Sequence, residues 1–103
     1  MTRLVLFISL FLFGAFPASA QSDAEVAAAR QAYLDGDYAT AMAVLRPAAE
    51  AGSAVAQNIL GAAYEDGNGV AADMAASVAW YEKAAAQEMD KALYNLGVIY
   101  SEG

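Results

Sequence analysis

The sequence predicts an all-α fold, a short α-solenoid of antiparallel helix pairs, from an internal repeat, from the helical spacing of its apolar residues and from glycine-marked turns. Shifting the chain by 36 residues aligns seven identical residues within the 23 positions of 45–67. They are Ala48, Ala49, Ala56, Leu60, Gly61, Tyr64 and Gly67, which recur as Ala84, Ala85, Ala92, Leu96, Gly97, Tyr100 and Gly103. Alanine is abundant, but Leu-Gly-x-x-Tyr-x-x-Gly recurring at a fixed offset indicates a repeated structural unit.

Apolar residues within each unit follow the period of one helix face. The first set is Ala56, Leu60, Ala63 and Tyr64, and the second is Ala92, Leu96, Ile99 and Tyr100. Together with a further stripe between the two sets, this spacing predicts helices near 23–35, 38–50, 54–65, 74–87 and 91–101.

Polar and glycine residues mark the ends of these helices. Ser22 and Glu25 have the spacing of a capping box. N-caps are predicted at Asp37, Ser53, Asp73 and Asp90, and turns at Gly36, Gly52 and 67–69. One residue conflicts with this pattern, because Pro47 removes a backbone hydrogen bond inside the second helix and predicts a kink.

Gly61 and Gly97 lie inside predicted helices, where glycine costs about 1 kcal/mol relative to alanine. Close approach of a neighbouring helix would offset this cost. We therefore expect a bulky ring, such as that of Trp80 or Tyr81, to lie over the bare glycine backbone.

The first twenty residues have the form of a cleaved export signal. Arg3 precedes an apolar run over 4–16, and the run is followed by Pro17 and Ala18-Ser19-Ala20. This pattern predicts a signal peptide over 1–20, cut between Ala20 and Gln21. An uncleaved anchor is the rival interpretation, but spanning a membrane takes about 20 apolar residues. The expected product is periplasmic or secreted, with no stable membrane insertion after cleavage.

Charge and composition exclude several classes of function. The chain carries a net charge of −7, and removal of Arg3 with the signal makes it one unit more negative. Nucleic acid and anionic lipid are therefore poor partners, since they require a basic surface. The absence of cysteine and histidine rules out disulfides and the usual zinc and thiolate sites. We expect no cofactor and no bound metal.

Residues 56–97 carry a family resemblance. They read Ala56-Gln57-Asn58-Ile59-Leu60-Gly61-x-x-Tyr64-x-x-Gly67-x-Gly69, then Trp80-Tyr81-x-Lys83-Ala84-Ala85, then Ala92-x-x-Asn95-Leu96-Gly97. This pattern resembles the Sel1-like repeat family, a relative of tetratricopeptide repeats built from stacked helix pairs. The resemblance divides the chain into a shortened, tetratricopeptide-like first pair at 21–53, a Sel1-like repeat at 54–89 and the start of a further, incomplete repeat at 90–103. Glu88 departs from the glycine usual at that turn, so we expect the turn at 87–90 to be built differently.

The resemblance implies an adaptor rather than an enzyme. It predicts an exported protein that binds a protein or peptide partner, with a regulatory role among the roles seen in the family. Asn58 and Asn95, on the inner helices, are the candidate partner-binding residues, although helix-surface polarity explains them equally well. The last helix offers Leu93, Leu96 and Ile99 without a following helix, which predicts exposed apolar surface, self-association or a missing continuation.

An envelope hydrolase or cell-wall-active enzyme is the alternative, and a truncated structural module without independent function is a third. The carboxylates Glu65-Asp66 and Asp35/Asp37 border glycine turns, so we predict no catalytic residue. The 66–69 stretch resembles a calcium loop only weakly, because Ala71 stands at the required glycine position and Ser77 at the glutamate position. Trp80 and Tyr81 could stack on a ligand, but aromatics on an amphipathic helix more often lie in a core.

Overall fold

The computed structural model describes residues 22–102 as five helices, with no strand in that range. The helices are α1 (Asp23–Leu34), α2 (Tyr38–Glu50), α3 (Ala54–Asp66), α4 (Met74–Ala85) and α5 (Asp90–Glu102). Consecutive helices pack against each other, most extensively α3 against α4. The all-α prediction is confirmed, and each predicted helix is present with ends within two residues of those expected. The predicted signal peptide, its Ala20–Gln21 cleavage point and Gly103 lie outside the described residues.

Side-chain caps begin the first four helices where the sequence predicts them. Ser22 and Glu25 form both bonds of the capping box, with N···O distances of 3.0 and 2.9 Å. Asp37, Ser53 and Asp73 each accept a hydrogen bond from a backbone N–H of the following first turn. These bonds satisfy donors that a helix N-terminus otherwise leaves without partners.

The fifth helix begins differently, and the prediction of Asp90 as its N-cap is wrong. The backbone oxygen of Met89 accepts the first helical bond, from the N–H of Leu93 at 3.1 Å. Asp90 is therefore already inside the first turn of α5. A carboxylate there still interacts favourably with the positive end of the helix dipole.

Pro47 does not end α2, which continues to Glu50. The backbone N–H that proline lacks would have bonded to residue 43, near the C-terminal end of the helix. The residues that follow, Ala48 and Ala49, are both buried. Packing of this last turn keeps it helical despite the missing bond.

The buried core consists mainly of small residues. Its side chains that are almost inaccessible to solvent include Ala41, Leu45, Ala48, Ala49, Ala56, Leu60, Ala63 and Tyr81. Because alanine side chains are short, the helix backbones approach each other closely. Helix α3 lies at the centre of this packing, with six buried residues in thirteen.

Gly61 lies at a close contact between α3 and α4. A Cβ atom added at Gly61 would lie 2.5 Å from Cδ1, 2.6 Å from Cε1 and 2.9 Å from Cγ of Tyr81. Beside the ring, the Ser77 hydroxyl donates a 2.7 Å hydrogen bond to the Gly61 carbonyl. The predicted ring over Gly61 is confirmed, and the ring is that of Tyr81.

The same prediction is wrong for Gly97. Among the described residues, nothing lies within 4 Å of a Cβ built there. Gly61 faces α4, whereas the matching surface of α5 is not covered by any helix in the described range. The two glycines therefore share a sequence pattern but not an environment.

The prediction of exposed apolar surface on the last helix is correct only in part. Leu93 is 51% exposed, as predicted. The prediction is wrong for Leu96, which is buried, while Ile99 is half-buried.

The turn between α4 and α5 repeats the turn between α2 and α3. Gly52 and Ser53 donate backbone bonds to Ala49 and Ala48, and 36 residues later Glu88 and Met89 donate to Ala85 and Ala84. Gly52 has φ 109° and Glu88 has φ 62°. The expectation of a differently built turn is wrong, because the same hydrogen bonds hold Glu88 in the left-handed region.

We expect Glu88→Gly to raise the free energy of unfolding by about 1 kcal/mol, since the left-handed conformation costs a non-glycine residue about 1–2 kcal/mol. Part of that gain is lost to the greater freedom of glycine in the unfolded chain. Urea denaturation monitored by circular dichroism measures the change. Gly52→Ala is the matched reverse substitution and should destabilise; a Glu88→Gly variant less stable than the parent would contradict the left-handed turn.

Candidate functional site

Asn58 and Asn95, the two predicted partner-binding residues, are brought together by the fold. The Asn95 Nδ2 group donates a hydrogen bond of 3.1 Å to Asn58 Oδ1. Both side chains are half-buried, at the point where α3 and α5 meet. The sequence placed both residues on inner helices but did not predict this bond.

A second set of amides fixes the position of α3 relative to its neighbours. Gln57 is buried, and its Nε2 donates to the Ala49 carbonyl at 3.1 Å. Gln87 in turn donates to Gln57 Oε1 at 3.0 Å and to the Gly52 carbonyl at 2.9 Å. These bonds tie α2, α3 and the end of α4 together, so that Asn58 is carried on a well-supported helix.

The amide pair retains hydrogen-bonding capacity. Their mutual bond uses one donor of Asn95 and one acceptor position of Asn58, which leaves N–H donors and a carbonyl acceptor available. Beside the pair, Val55 lies one helical turn before Asn58, and Tyr94 directly precedes Asn95. Val55 is 39% exposed and Tyr94 is 72% exposed. The residues around the amide bond therefore combine amide groups with exposed apolar groups.

A shallow cleft of about 290 Å³ lies between α1 and the start of α3. It is lined by Asp23, Val26, Ala27, Arg30, Ser53 and Val55. Val55 thus borders both the cleft and the amide pair. No sequence motif marks this cleft, because its lining comes from two helices and an intervening turn that are separate in the chain.

Tyrosine hydroxyls make further contacts between helices. Tyr81 donates to Glu65 Oε1 at 2.9 Å, and Asn68 donates to the Tyr33 hydroxyl at 3.2 Å. Desolvation by burial raises the pKa of Tyr81, and the bond to the Glu65 carboxylate raises that pKa further. Burial also raises the pKa of Tyr33. These groups stay protonated and serve as structural donors and acceptors.

We expect the raised pKa of Tyr81 to make the fold less stable in alkali. The ordinary tyrosine pKa is about 10, so above that pH the unfolded chain releases this proton while the folded chain keeps it. The stabilisation that results from the raised pKa of Tyr81 is complete below about pH 10. Above that pH, the free energy of unfolding falls by up to about 1.4 kcal/mol per pH unit. Urea denaturation at a series of pH values measures the slope. Tyr81→Phe should reduce the slope, and an unchanged slope in that variant would contradict the assignment.

Three of the four carboxylates considered for catalysis have structural partners. Glu65 accepts the Tyr81 bond, Asp35 accepts from Gln31 Nε2 at 3.0 Å, and Asp37 caps α2. Within residues 22–102 no group of three or more acidic residues is arranged to hold a metal ion. No helix in this range has the length and apolar character needed to cross a membrane.

The aromatic pair on α4 divides between core and surface. Tyr81 is 1% exposed, which confirms its predicted place in the core. Trp80 is half-buried against the core, and the Lys83 ammonium lies 5.7 Å from its ring centre. A ligand therefore cannot stack on both faces of either ring.

No protein-family model, curated protein or solved structure matches the chain. The resemblance to Sel1-like repeats therefore stays a prediction.

Proposed function

We propose that the chain is an exported helical-repeat adaptor that binds a protein or peptide partner on its asparagine face. The asparagine face is defined by Val55, Asn58, Tyr94 and Asn95. The observation that supports it most is the Asn58–Asn95 amide pair, half-buried beside exposed apolar groups. A side-chain amide offers both a donor and an acceptor, which matches the backbone amides of a peptide segment.

Positional repetition of contacts supports the Sel1-like α-solenoid as the architecture of this adaptor. The hydroxyl of Tyr64 accepts from Arg46 Nη2 at 3.1 Å, and the hydroxyl of Tyr100 donates to Glu82 Oε2 at 3.1 Å. Arg46 and Glu82 are 36 residues apart, as are the two tyrosines. The partner of the tyrosine hydroxyl is a guanidinium in the first contact and a carboxylate in the second, but the positions of both contacts repeat. Such repetition is expected of stacked helix pairs.

The charge of the chain narrows the class of partner. A net charge of −7 disfavours nucleic acid and anionic membranes. The four residues that define the asparagine face are uncharged, while Asp23 and Arg30 line the cleft that adjoins it at Val55. Recognition at the amide pair would depend on hydrogen bonds and apolar contact. A protein segment whose backbone is accessible fits this surface, and a regulatory role for the complex is consistent with it.

Export is part of the proposal and rests on the sequence of residues 1–21. We expect protein recovered from outside the cytoplasm to begin at Gln21, because small residues precede the cut at Ala20. Intact-mass spectrometry gives the N-terminus directly. Exported protein that retains Met1 would contradict cleavage.

Affinity capture with site variants tests the adaptor proposal. Tagged chain is crosslinked in native envelope extract, and the proteins recovered with it are identified by mass spectrometry. We expect one dominant, competable protein with the parent chain and little of it with Asn58→Ala or Asn95→Ala. Thr40→Ala, an exposed polar change on α2, is the matched control and should leave capture unchanged. Equal recovery by all variants, or recovery of the bait alone, would contradict the proposal.

A further inference from the structure

The loop between α3 and α4 contains the dipeptide Asn68-Gly69. The amide carbon of an asparagine side chain and the backbone nitrogen of the next residue can close a five-membered succinimide ring, which is one reason that asparagine is a thermolabile residue. Glycine in the second position favours ring closure, because it has no side chain to crowd the attacking nitrogen. In this loop the backbone can therefore react with an asparagine side chain.

The attacking group, the backbone N–H of Gly69, donates no hydrogen bond within residues 22–102. The two N–H groups before it, those of Gly67 and Asn68, both donate to the Ala63 carbonyl, at 2.8 and 2.9 Å. Gly69 is also exposed to solvent. Attack by its nitrogen therefore breaks no hydrogen bond within the described chain, and hydroxide can reach the N–H to remove the proton.

The Asn68 side chain, in contrast, is held in place. It is half-buried, and its Nδ2 donates a 3.2 Å hydrogen bond to the hydroxyl of Tyr33 on α1. Ring closure draws Cγ of Asn68 to bonding distance of the Gly69 nitrogen, and so moves the amide group away from its position against Tyr33. The bond to Tyr33 therefore opposes the reaction that the dipeptide favours.

We propose that Asn68 is a modification site, which deamidates through a succinimide formed with Gly69 and is slowed by its hydrogen bond to Tyr33. The deprotonated Gly69 nitrogen bonds to Cγ of Asn68, and the side-chain nitrogen leaves as ammonia. Water then opens the ring at one of its two carbonyl carbons, which gives aspartate or isoaspartate. One water is consumed and one ammonia is released, without oxidation or reduction. The proposal goes beyond the binding function and does not depend on it.

Either product changes a packed part of the fold. Both replace an amide donor with a carboxylate, in a loop that closely follows Glu65 and Asp66. Isoaspartate also inserts one carbon into the backbone before Gly69. A Cβ added at Gly69 would lie 2.9 Å from Tyr38 Cβ and 3.2 Å from Met42 Cγ. The backbone is thus fitted closely against α2, and an inserted carbon shifts it.

Peptide mapping by mass spectrometry, on purified chain incubated at neutral pH, tests the proposal. We expect deamidation at Asn68, with aspartate and isoaspartate both present and separated by electron-transfer fragmentation. Asn58 and Asn95 serve as internal controls and should stay intact, because the N–H that follows each of them lies inside a helix.

A pair of hydroxyl deletions tests the restraint. Tyr33→Phe should speed deamidation of Asn68 about fivefold, the effect of losing one typical hydrogen bond. Tyr38→Phe is the matched control, since it removes the hydroxyl of the neighbouring ring, 5.1 Å away, and leaves the bond to Asn68 in place. Circular dichroism establishes that both variants are folded.

Three results would overturn the proposal. The first is deamidation at Asn68 no faster than at Asn58 and Asn95. The second is aspartate without isoaspartate, since direct hydrolysis of the amide would then replace the succinimide route. Both are measured on the parent chain and need no variant. The third is a folded Tyr33→Phe chain that deamidates no faster than the parent and Tyr38→Phe.

Discussion

Gly61→Leu is expected to lower the free energy of unfolding by about 3 kcal/mol. Even a bare Cβ at this position would lie 2.5–2.9 Å from three atoms of the Tyr81 ring. The ring cannot move aside easily, because it is 1% exposed and its hydroxyl is bonded to Glu65. The larger leucine would have to separate α3 from α4, and its overpacking outweighs the helix propensity gained by replacing glycine.

Gly97→Leu is the matched control for this substitution. It makes the same change one repeat later, where nothing in the described part of the chain lies within 4 Å of the new Cβ. We expect stability to be unchanged or raised by up to about 1 kcal/mol, because leucine favours the helix over glycine. Urea denaturation of both variants gives the comparison. An equal loss in both would show that helix position, rather than the Tyr81 ring, determines the effect.

Tyr81→Ala is expected to cost about 4 kcal/mol. The ring is one of the largest fully buried side chains in the described chain, and it covers the backbone of Gly61. Alanine would leave a cavity between α3 and α4 and would remove the hydroxyl donor to Glu65. Both losses fall on the helix pair with the most extensive packing.

Tyr81→Phe separates the two contributions, since it keeps the ring and removes only the hydroxyl. Its expected cost is about 1 kcal/mol, typical of one hydrogen bond.

Combining Tyr81→Ala with Gly61→Leu should cost less than the two single effects added, because leucine fills part of the cavity. Thermal and urea denaturation of the parent chain, the Tyr81→Ala and Gly61→Leu variants and the double variant give the four free energies of unfolding that this comparison needs. Strict additivity would contradict direct packing of the ring on residue 61.

Local signals in the sequence are sufficient to predict the helices. Caps such as Ser22 and Asp73 act within one turn, so their effect can be recognised without knowledge of the tertiary fold. The predicted N-cap at Asp90 lies one residue after Met89, whose carbonyl accepts the first hydrogen bond of α5. An acidic residue is favourable both at the N-cap and in the first turn of a helix, so the sequence does not distinguish the two positions. Glu88 could not be predicted to keep the left-handed turn, since that depends on bonds made by the residues around it.

The environment of the two helical glycines could not be predicted from their own segments. Gly61 and Gly97 share the same Leu-Gly-x-x-Tyr context. What distinguishes them is the helix that follows in space, and Tyr81 lies over only one of them. A repeat in sequence therefore predicts the shape of each unit but not what covers it.

The sequence singles out Asn58 and Asn95 as candidates, but it does not predict that they contact each other. Asn58 and Asn95 are 37 residues apart, one more than the repeat, so the repeat pairs Asn58 with Tyr94 instead. Their hydrogen bond depends on how α3 and α5 are rotated relative to each other. Tyr94 and the cleft beside Val55 were missed for the same reason, because adjacency across helices has no local signature.

Site-specific photo-crosslinking tests the proposed binding face most directly. A photoreactive amino acid is placed at Tyr94, on the asparagine face, or at Thr40, on the exposed surface of α2, and each protein is irradiated in native envelope extract. We expect one dominant crosslinked protein from position 94, competed by unlabelled chain, and none of it from position 40. Equal crosslinking from both positions, or crosslinks from position 94 only to other copies of the chain, would contradict binding at the asparagine face.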